Sequence, residues 1–318
     1  MKFIAELCQN HNGSYENLKE MTIQCARNGA DIIKLQYITP EILSFRPQFE
    51  NGLIEKQKTL AIKRPYKAEW KRLKRLVIKK NQLIKFIKLC RSLKIEPAIT
   101  CFSRQDVDQI KNLGFETIKI ASYDCASFQL LREVKKKFKK IIVSTGATYD
   151  DEIQKASNIL KGKDYALLHC VTIYPTPLKN INLERINFLK KFSKKVGFSD
   201  HSLGHVKNKN LASMAAIYMG AEYVERHITI LDKEKTKDGK VSIKPDDIKT
   251  LKKFSMLSKK EQLQYLKQNF SLNLKLLKGK KFRKLSDEEI LNRDYYRGRF
   301  VSKVKNREIF NWDEIELK

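Results

Sequence analysis

Val196-Gly197-Phe198-Ser199-Asp200-His201-Ser202-Leu203-Gly204 begins as an apolar strand and ends abruptly in polar side chains. Ser199 and His201 are two apart, so on an extended chain they face one side. Ala221-Glu222-Tyr223-Val224-Glu225-Arg226-His227-Ile228 repeats the pattern and again ends in a histidine. Two strand-end histidines suggest a shared divalent metal beside a place for a phosphorylated or carboxylated ligand. The competing reading is a structural role for each imidazole.

Outward from this pair, strand-like and helix-like segments alternate along the chain. Strands are expected over residues 3–8, 31–37, 97–102, 117–122, 140–146, 165–171, 195–200 and 223–228. Helical spacing follows each of them. Leu18, Met21, Cys25 and Ala26 share one face of the first helix, with Ser14 near its start and Asn28-Gly29 as its stop. Ser103-Arg104-Gln105-Asp106 reads as a capping box opening a short helix that stops at Gly114. A basic insertion carrying Pro47 and Pro65 separates strand two from strand three and ends in a helix with Leu83, Phe86, Ile87, Cys90 and Leu93. Pro245-Asp246-Asp247 opens a last helix toward Met256.

Eight strand–helix units fit an α/β fold of the (β/α)8 TIM-barrel type over residues 1–260. A short C-terminal extension, residues 261–318, follows; it is helical or irregular at first and then reads as two short strands within residues 297–318. A doubly wound sheet is the runner-up, but no Gly-rich dinucleotide fingerprint follows strand one.

Composition narrows the function classes. Six single cysteines with no C-x-x-C, several in apolar runs, read as buried reduced thiols of a cytoplasmic protein. The chain enters an apolar strand almost at once, so no signal peptide is expected, and no apolar run is long enough to cross a bilayer. The formal net charge of +29 is spread over helix faces and loops, as in Lys135-Lys136-Lys137-Phe138-Lys139-Lys140. No stripe interleaves these lysines with aromatics, so the charge reads as solvated surface that in part steers an anionic substrate, and nucleic acid is not an expected partner.

In a barrel the chemistry sits where strands end. Here the strand ends offer Glu6, then Lys34 and Gln36, Thr100, Lys119 with Ser122 and Asp124, and Ser144-Thr145-Gly146. His169, Thr172 and Tyr174, Ser199 with His201, and Glu225 with His227 follow. Lys34 and Lys119 stand inside Ile32-Ile33-Lys34-Leu35 and Ile118-Lys119-Ile120. A buried ammonium without a partner is costly, so either an internal carboxylate pairs with each lysine or the site is built for an anion. Lysines, short hydroxyls and two histidines suit a phosphorylated enol acid beside a metal-bound carbonyl.

The same segments, in order, resemble the sialic acid synthase family. The matching pieces are Ile4-Ala5-Glu6 with Asn10-His11-Asn12-Gly13, Gly29-Ala30-Asp31-Ile32-Ile33-Lys34-Leu35-Gln36, Phe102-Ser103, and Lys119-Ile120-Ala121-Ser122. Ser144-Thr145-Gly146, Leu168-His169-Cys170, Tyr174-Pro175-Thr176-Pro177, Gly197-Phe198-Ser199-Asp200-His201 and Glu225-Arg226-His227 complete the series, which covers residues 3–254.

The resemblance implies a TIM barrel that condenses phosphoenolpyruvate with an N-acylated amino sugar, N-acetylmannosamine or a modified bacterial hexosamine. It implies a divalent metal, Mn2+ or Mg2+, on His201 and His227. It maps the phosphoenolpyruvate pocket onto Lys34, Thr100, Lys119, Ser122, Ser144, Thr172 and Ser199. Glu6 and Asp124 take the catalytic carboxylate positions, and Gln36, Tyr174 and Asp238 the sugar side. His11, His169 and His205 are not assigned to metal and are expected to order structure or loops.

Three departures from the family pattern stand out. Asp124 replaces a glutamate, and Thr172 replaces an asparagine. Residues 297–318 look like only the beginning of the antifreeze-like domain through which the family exchanges an arginine between subunits, so a homodimer is implied by the resemblance alone. Another metal-dependent barrel aldolase or isomerase acting on a phosphorylated sugar is the alternative, and a catalytically dead barrel used for binding is the third reading.

Overall fold

The computed structural model describes residues 1–270 and 274–317. Eight parallel strands close on themselves: β1 (Lys2–Cys8), β2 (Ile32–Gln36), β3 (Glu96–Cys101), β4 (Thr117–Ile120), β5 (Lys140–Ser144), β6 (Asp164–His169), β7 (Lys195–Asp200) and β8 (Tyr223–His227). Each strand pairs with its sequence neighbour, and β1 pairs with β8. The helices between and after them are α1 (Tyr15–Arg27), α2 (Lys80–Ser92), α3 (Val107–Asn112), α4 (Phe128–Lys137), α5 (Asp150–Leu160), α6 (Glu184–Leu189), α7 (Leu211–Tyr218) and α8 (Pro245–Met256). This is the (β/α)8 barrel the strand spacing calls for.

Strand alternation divides the apolar residues into two cores. The large one lies between sheet and helices and joins Phe3, Leu7, Ile33, Leu35, Ile118 and Val224 to Leu18, Phe86, Leu131 and Ile248. The small one fills the barrel interior with Ile4, Ile32, Ala98, Ile142, Ala166, Leu168 and Tyr223. Gly197 leaves room for that layer. A Cβ there would lie 2.6 Å from Leu168 Cδ2 and 2.6 Å from Tyr223 Cβ, closer than packed carbons approach.

The period of two then places the polar groups. Two residues beyond Ile4, Ile32, Ala98, Thr117, Ile142, Gly197 and Tyr223 stand Glu6, Lys34, Thr100, Lys119, Ser144, Ser199 and Glu225. A polar storey therefore sits directly above the apolar one, toward the strand C-termini. On the outward face of the same strand ends, Asp200 and Arg226 are both fully buried and form an ion pair at 2.5 Å.

The first helix starts as expected, with the Ser14 hydroxyl accepting from the Asn17 N–H. Residues 103–106 do not form the expected capping box. They make a 3-10 turn (Arg104–Asp106), and α3 begins after it at Val107. The Ser103 hydroxyl donates to Asp106 Oδ2 at 2.7 Å, and Thr39 donates to the same oxygen at 3.3 Å. The Asp106 carboxylate is taken by these two hydroxyls and not by the Ser103 N–H.

The insertion folds as a hairpin (Leu53–Glu55 with Lys58–Ala61) followed by a helix (Tyr66–Lys74). The C-terminal extension packs on the barrel. Leu266 and Leu277 join the large core. A helix over Asp287–Tyr296 then leads into a two-stranded hairpin, Ser302–Val304 with Arg307–Ile309. Sequence reading passed over that helix although its signal was present: Ser286 and Glu289 form a reciprocal capping box. Residues 271–273 and Lys318, within the expected extension, lie outside the described residues. All six cysteines are free and buried. Among the described residues no helix is long and apolar enough to cross a membrane.

Candidate active site

The polar storey lines one cavity at the C-terminal mouth. Its wall includes Glu6, Lys34, Gln36, Thr100, Lys119, Ser122, Ser144, Tyr174, Ser199, His201, Glu225 and His227, with Phe102 and Tyr123 beside them. Eleven of the fourteen residues given site roles from sequence are thus brought together from all eight strands or the loops that follow them.

Both buried lysines have carboxylate partners. Lys34 Nζ is ion-paired with Glu6 and donates to Thr100 Oγ1 at 3.0 Å, with Glu225 Oε2 3.9 Å away. Lys119 Nζ donates to Glu225 Oε2 at 2.8 Å, and the Ser199 hydroxyl donates to the other Glu225 oxygen at 2.8 Å. Glu225 is the central acid of this network. It was visible at a strand end but was assigned no role, because nothing local in Tyr223-Val224-Glu225 shows that two distant lysines converge on it. Burial works to raise the Glu225 carboxyl, but Lys119 and Lys34 outweigh it and hold the group well below the usual carboxylate range. Burial pulls the Lys34 ammonium down to about 7, with Glu225 opposing it and Lys119 adding to it. Two lysines and two acidic side chains thus interlock, and both lysine nitrogens are held at the cavity wall.

His201 and His227 lie with ring centroids 5.5 Å apart. His201 Nδ1 is 2.9 Å from the Val171 carbonyl oxygen, a contact that only its N–H can make, so Nε2 carries the lone pair. Burial lowers His201, and it lowers His227 to about 4 against the opposing charge of Asp238. Both are therefore neutral at pH 7, the form that ligates a metal. Tyr174 is 46% exposed and leans over His201 with ring centroids 4.2 Å apart.

Three of the expected site residues do not line the cavity. Thr172 is fully buried beside Tyr123. Asp238 sits in the loop after β8, next to His227 and Cys8. Asp124 is buried behind the wall, where its Oδ1 accepts from Ser127 Oγ and Asn311 Nδ2, both at 2.9 Å. Burial pushes its carboxyl up to about 6 despite these bonds. Its folded pKa lies above the unfolded value near 3.8, so its contribution is fully present below pH 3.8 and is lost as pH rises through 6. Asp124→Asn is expected to gain about 2–3 kcal/mol over the parent above pH 6 and to show no gain near pH 3, read from urea midpoints across that range. A loss of stability at pH 7.5 would contradict this assignment.

The remaining histidines order the backbone. His11 Nδ1 accepts from Gly13 N–H at 3.0 Å. His169 Nε2 lies 2.6 Å from the Ile181 carbonyl, and His205 Nε2 lies 2.6 Å from that of Gly239. Gly146 answers to close approach: a Cβ there would fall 2.6 Å from Cys170 Sγ and 2.7 Å from Thr172 Cγ2.

The rim was not legible from sequence. Tyr296 stacks on Tyr123 at 4.8 Å, and Asn292 donates to the Thr172 carbonyl at 2.8 Å. Arg293 donates to the Ala147 carbonyl and pairs with Glu152. Asn311 donates to the Phe102 carbonyl as well as to Asp124. The C-terminal extension thus braces the loops of the mouth.

A closed parallel barrel with cations, hydroxyls and paired imidazoles at its C-terminal mouth is the architecture of a barrel enzyme acting on an anionic substrate. Residues 21–263 match the NeuB family model. Pseudaminic acid synthase from Campylobacter jejuni subsp. jejuni is 30% identical over 98% of this chain and 85% of its own length. N,N'-diacetyllegionaminic acid synthase from the same organism is 33% identical over 78% of this chain and 73% of its own. The crystal structure of an N-acetylneuraminic acid synthetase from Leptospira borgpetersenii shares the fold, with TM-score 0.68 at 24% identity over 91% of this chain and 90% of that one. The chain belongs to the NeuB family, the sialic acid synthase family that its motifs resemble, and is an enzyme of that transferase class.

Proposed function

We propose that the protein condenses phosphoenolpyruvate with an N-acylated amino sugar to give a sialic acid-like nonulosonic acid and phosphate. The observation that carries this reading is the single cavity in which Lys34, Lys119, Thr100, Ser122, Ser144 and Ser199 stand beside His201 and His227. The C–C bond forms between C3 of phosphoenolpyruvate and the open-chain sugar aldehyde; water adds at C2, and phosphate leaves from the resulting tetrahedral centre. Lys34 and Lys119 neutralise the enol acid's carboxylate and phosphate, an electrostatic role that needs no reorganisation because Glu6 and Glu225 already hold both groups. The hydroxyls of Ser122, Ser144 and Thr100 donate to phosphate oxygens. Glu6, at the wall, orients water or moves a proton. Tyr174 and Gln36 contact the sugar at the exposed side.

The residues present fit a divalent metal, since both imidazoles are buried, neutral and close, with His201 Nε2 left as a donor. His201 and His227 would hold it, and it would supply Lewis-acid polarisation of the sugar carbonyl. Mn2+ or Mg2+ is the first choice to test. The modified bacterial hexosamine is favoured as acceptor by the names of the two Campylobacter relatives.

The test is a screen of N-acylated hexosamines with phosphoenolpyruvate and Mn2+, read by phosphate release and product mass. Phosphate appearing only when both substrates are present, with a product heavier than the sugar by one pyruvate (the summed mass plus water less phosphoric acid), is the expected result. Turnover of a phosphorylated sugar alone would establish the aldolase or isomerase alternative instead.

A further inference from the structure

We infer that Cys8 and Asp238 complete the metal site at His227, so that the proposed ion is held there by a thiolate and a carboxylate as well as by an imidazole. This rests on the proposed metal and adds two donors to it. Cys8 Sγ, a ring nitrogen of His227 and a carboxylate oxygen of Asp238 all lie within 4.8 Å of one another. That is close enough for one ion to be shared among the three. They come from the end of β1, the end of β8 and the loop after β8, so only the closed barrel assembles them.

The backbone at Cys8 points the same way. The β1–β2 register runs Glu6 to Lys34 and then Cys8 to Leu35, so Leu7 is an extra residue and β1 bulges there. A bulge re-aims the following side chain, a device common beside active sites. Cys8 also has φ 47°, a left-handed conformation that is unfavourable for a residue with a Cβ. A glycine would avoid that cost. A strained position that nonetheless carries a thiol is a signal of function.

The contacts of the sulfur are those of a ligand awaiting an ion. The Cys8 thiol donates to Asp238 Oδ2 at 2.8 Å, a proton that an ion binding to both residues would displace. Gln36 Nε2 donates to Sγ at 3.0 Å. Gln9 donates to Gln36 Oε1 at 3.1 Å, and the Arg72 guanidinium donates to Gln9 Oε1. A chain of oriented amides ending in a cation thus leads to the sulfur, the kind of outer support that tunes a metal ligand. A thiolate moves the site's preference toward Fe2+, Co2+ or Zn2+ and away from Mg2+.

The experiment is titration of the chelator-stripped full chain with Co2+ alone, without substrates. The expected result is a near-ultraviolet thiolate-to-cobalt charge-transfer band in the parent that is absent from Cys8→Ser. The visible ligand-field bands should persist in Cys8→Ser, with weakened affinity. The loss should be at least as large as the about 10–100-fold typical when outer-shell partners are removed. Asp238→Asn should keep the charge-transfer band and weaken binding. Cys8→Ser should also lower the ratio of Zn2+ to Mn2+ affinity, with circular dichroism confirming its fold. Ligand-field bands without a charge-transfer band in the parent would overturn the Cys8 assignment while leaving a histidine-held ion in place. Absence of any Co2+ binding would overturn the metal reading as a whole.

Discussion

Lys119→Ala should lower condensation turnover by about 10²–10³-fold, the loss typical when one preorganised donor is removed from a developing charge. Lys119 is buried inside the barrel mouth, and its Nζ is held 2.8 Å from Glu225 Oε2. Its removal takes a positive charge from the cavity and leaves Glu225 with the Ser199 hydroxyl and the more distant Lys34. The cavity therefore loses a cation where an anion must bind. Phosphoenolpyruvate affinity should fall together with turnover, while affinity for the sugar changes far less. Steady-state kinetics in each substrate, with circular dichroism to confirm the fold, checks this. Parental turnover and unchanged phosphoenolpyruvate affinity would show that Lys119 only neutralises Glu225 and that the anion binds elsewhere.

Arg226→Ala should cost about 3–5 kcal/mol of stability, among the largest values a single substitution gives. Arg226 and Asp200 are each fully buried, and their pair at 2.5 Å lies on the outward face of β7 and β8. Asp200 also accepts from the Ser213 hydroxyl at 2.6 Å and the Ser202 N–H at 2.8 Å. Arg226 donates to Ser202 Oγ at 3.0 Å and to the Lys209 and Val241 carbonyls. Burial works against the ionised Asp200, but Arg226 together with the hydrogen bonds from Ser213 and Ser202 outweighs it and keeps the carboxyl below its usual range. Truncating the arginine strands a fully buried carboxylate without its counter-charge and takes a donor from the carbonyls of Ser202, Lys209 and Val241. Urea denaturation is the measurement. The double change Asp200→Asn with Arg226→Met should recover part of the loss, since a neutral pair needs no counter-charge. A single-variant loss below about 1 kcal/mol would mean that water reaches the site and that the pair is not the support it resembles.

These two residues show how the strand ends divide their labour. Along Ser199-Asp200-His201 and Glu225-Arg226-His227, the outer members of each triplet face the cavity and the middle members face outward. Alternation made the inward pair legible from sequence, because Ser199 with His201 and Glu225 with His227 are two residues apart. The partnership of the middle residues was not legible, because it depends on β7 and β8 lying side by side in the register Asp200 to Arg226.

The sequence by itself determined the eight strand–helix units and the residues that end each strand, since a period of two and helix stop signals are local properties. It also brought out Lys34 and Lys119, because a cation inside an apolar strand is conspicuous wherever it stands. Only the tertiary structure decided what those cations face, why Asp124 lies behind the cavity wall, and how Cys8, His227 and Asp238 meet. It also decided that the C-terminal helix braces the mouth through Tyr296 and Asn292. The physical reason is that pairing between charges depends on separation in space. Barrel closure brings residue 6 beside residue 227, and no pattern along the chain encodes that distance.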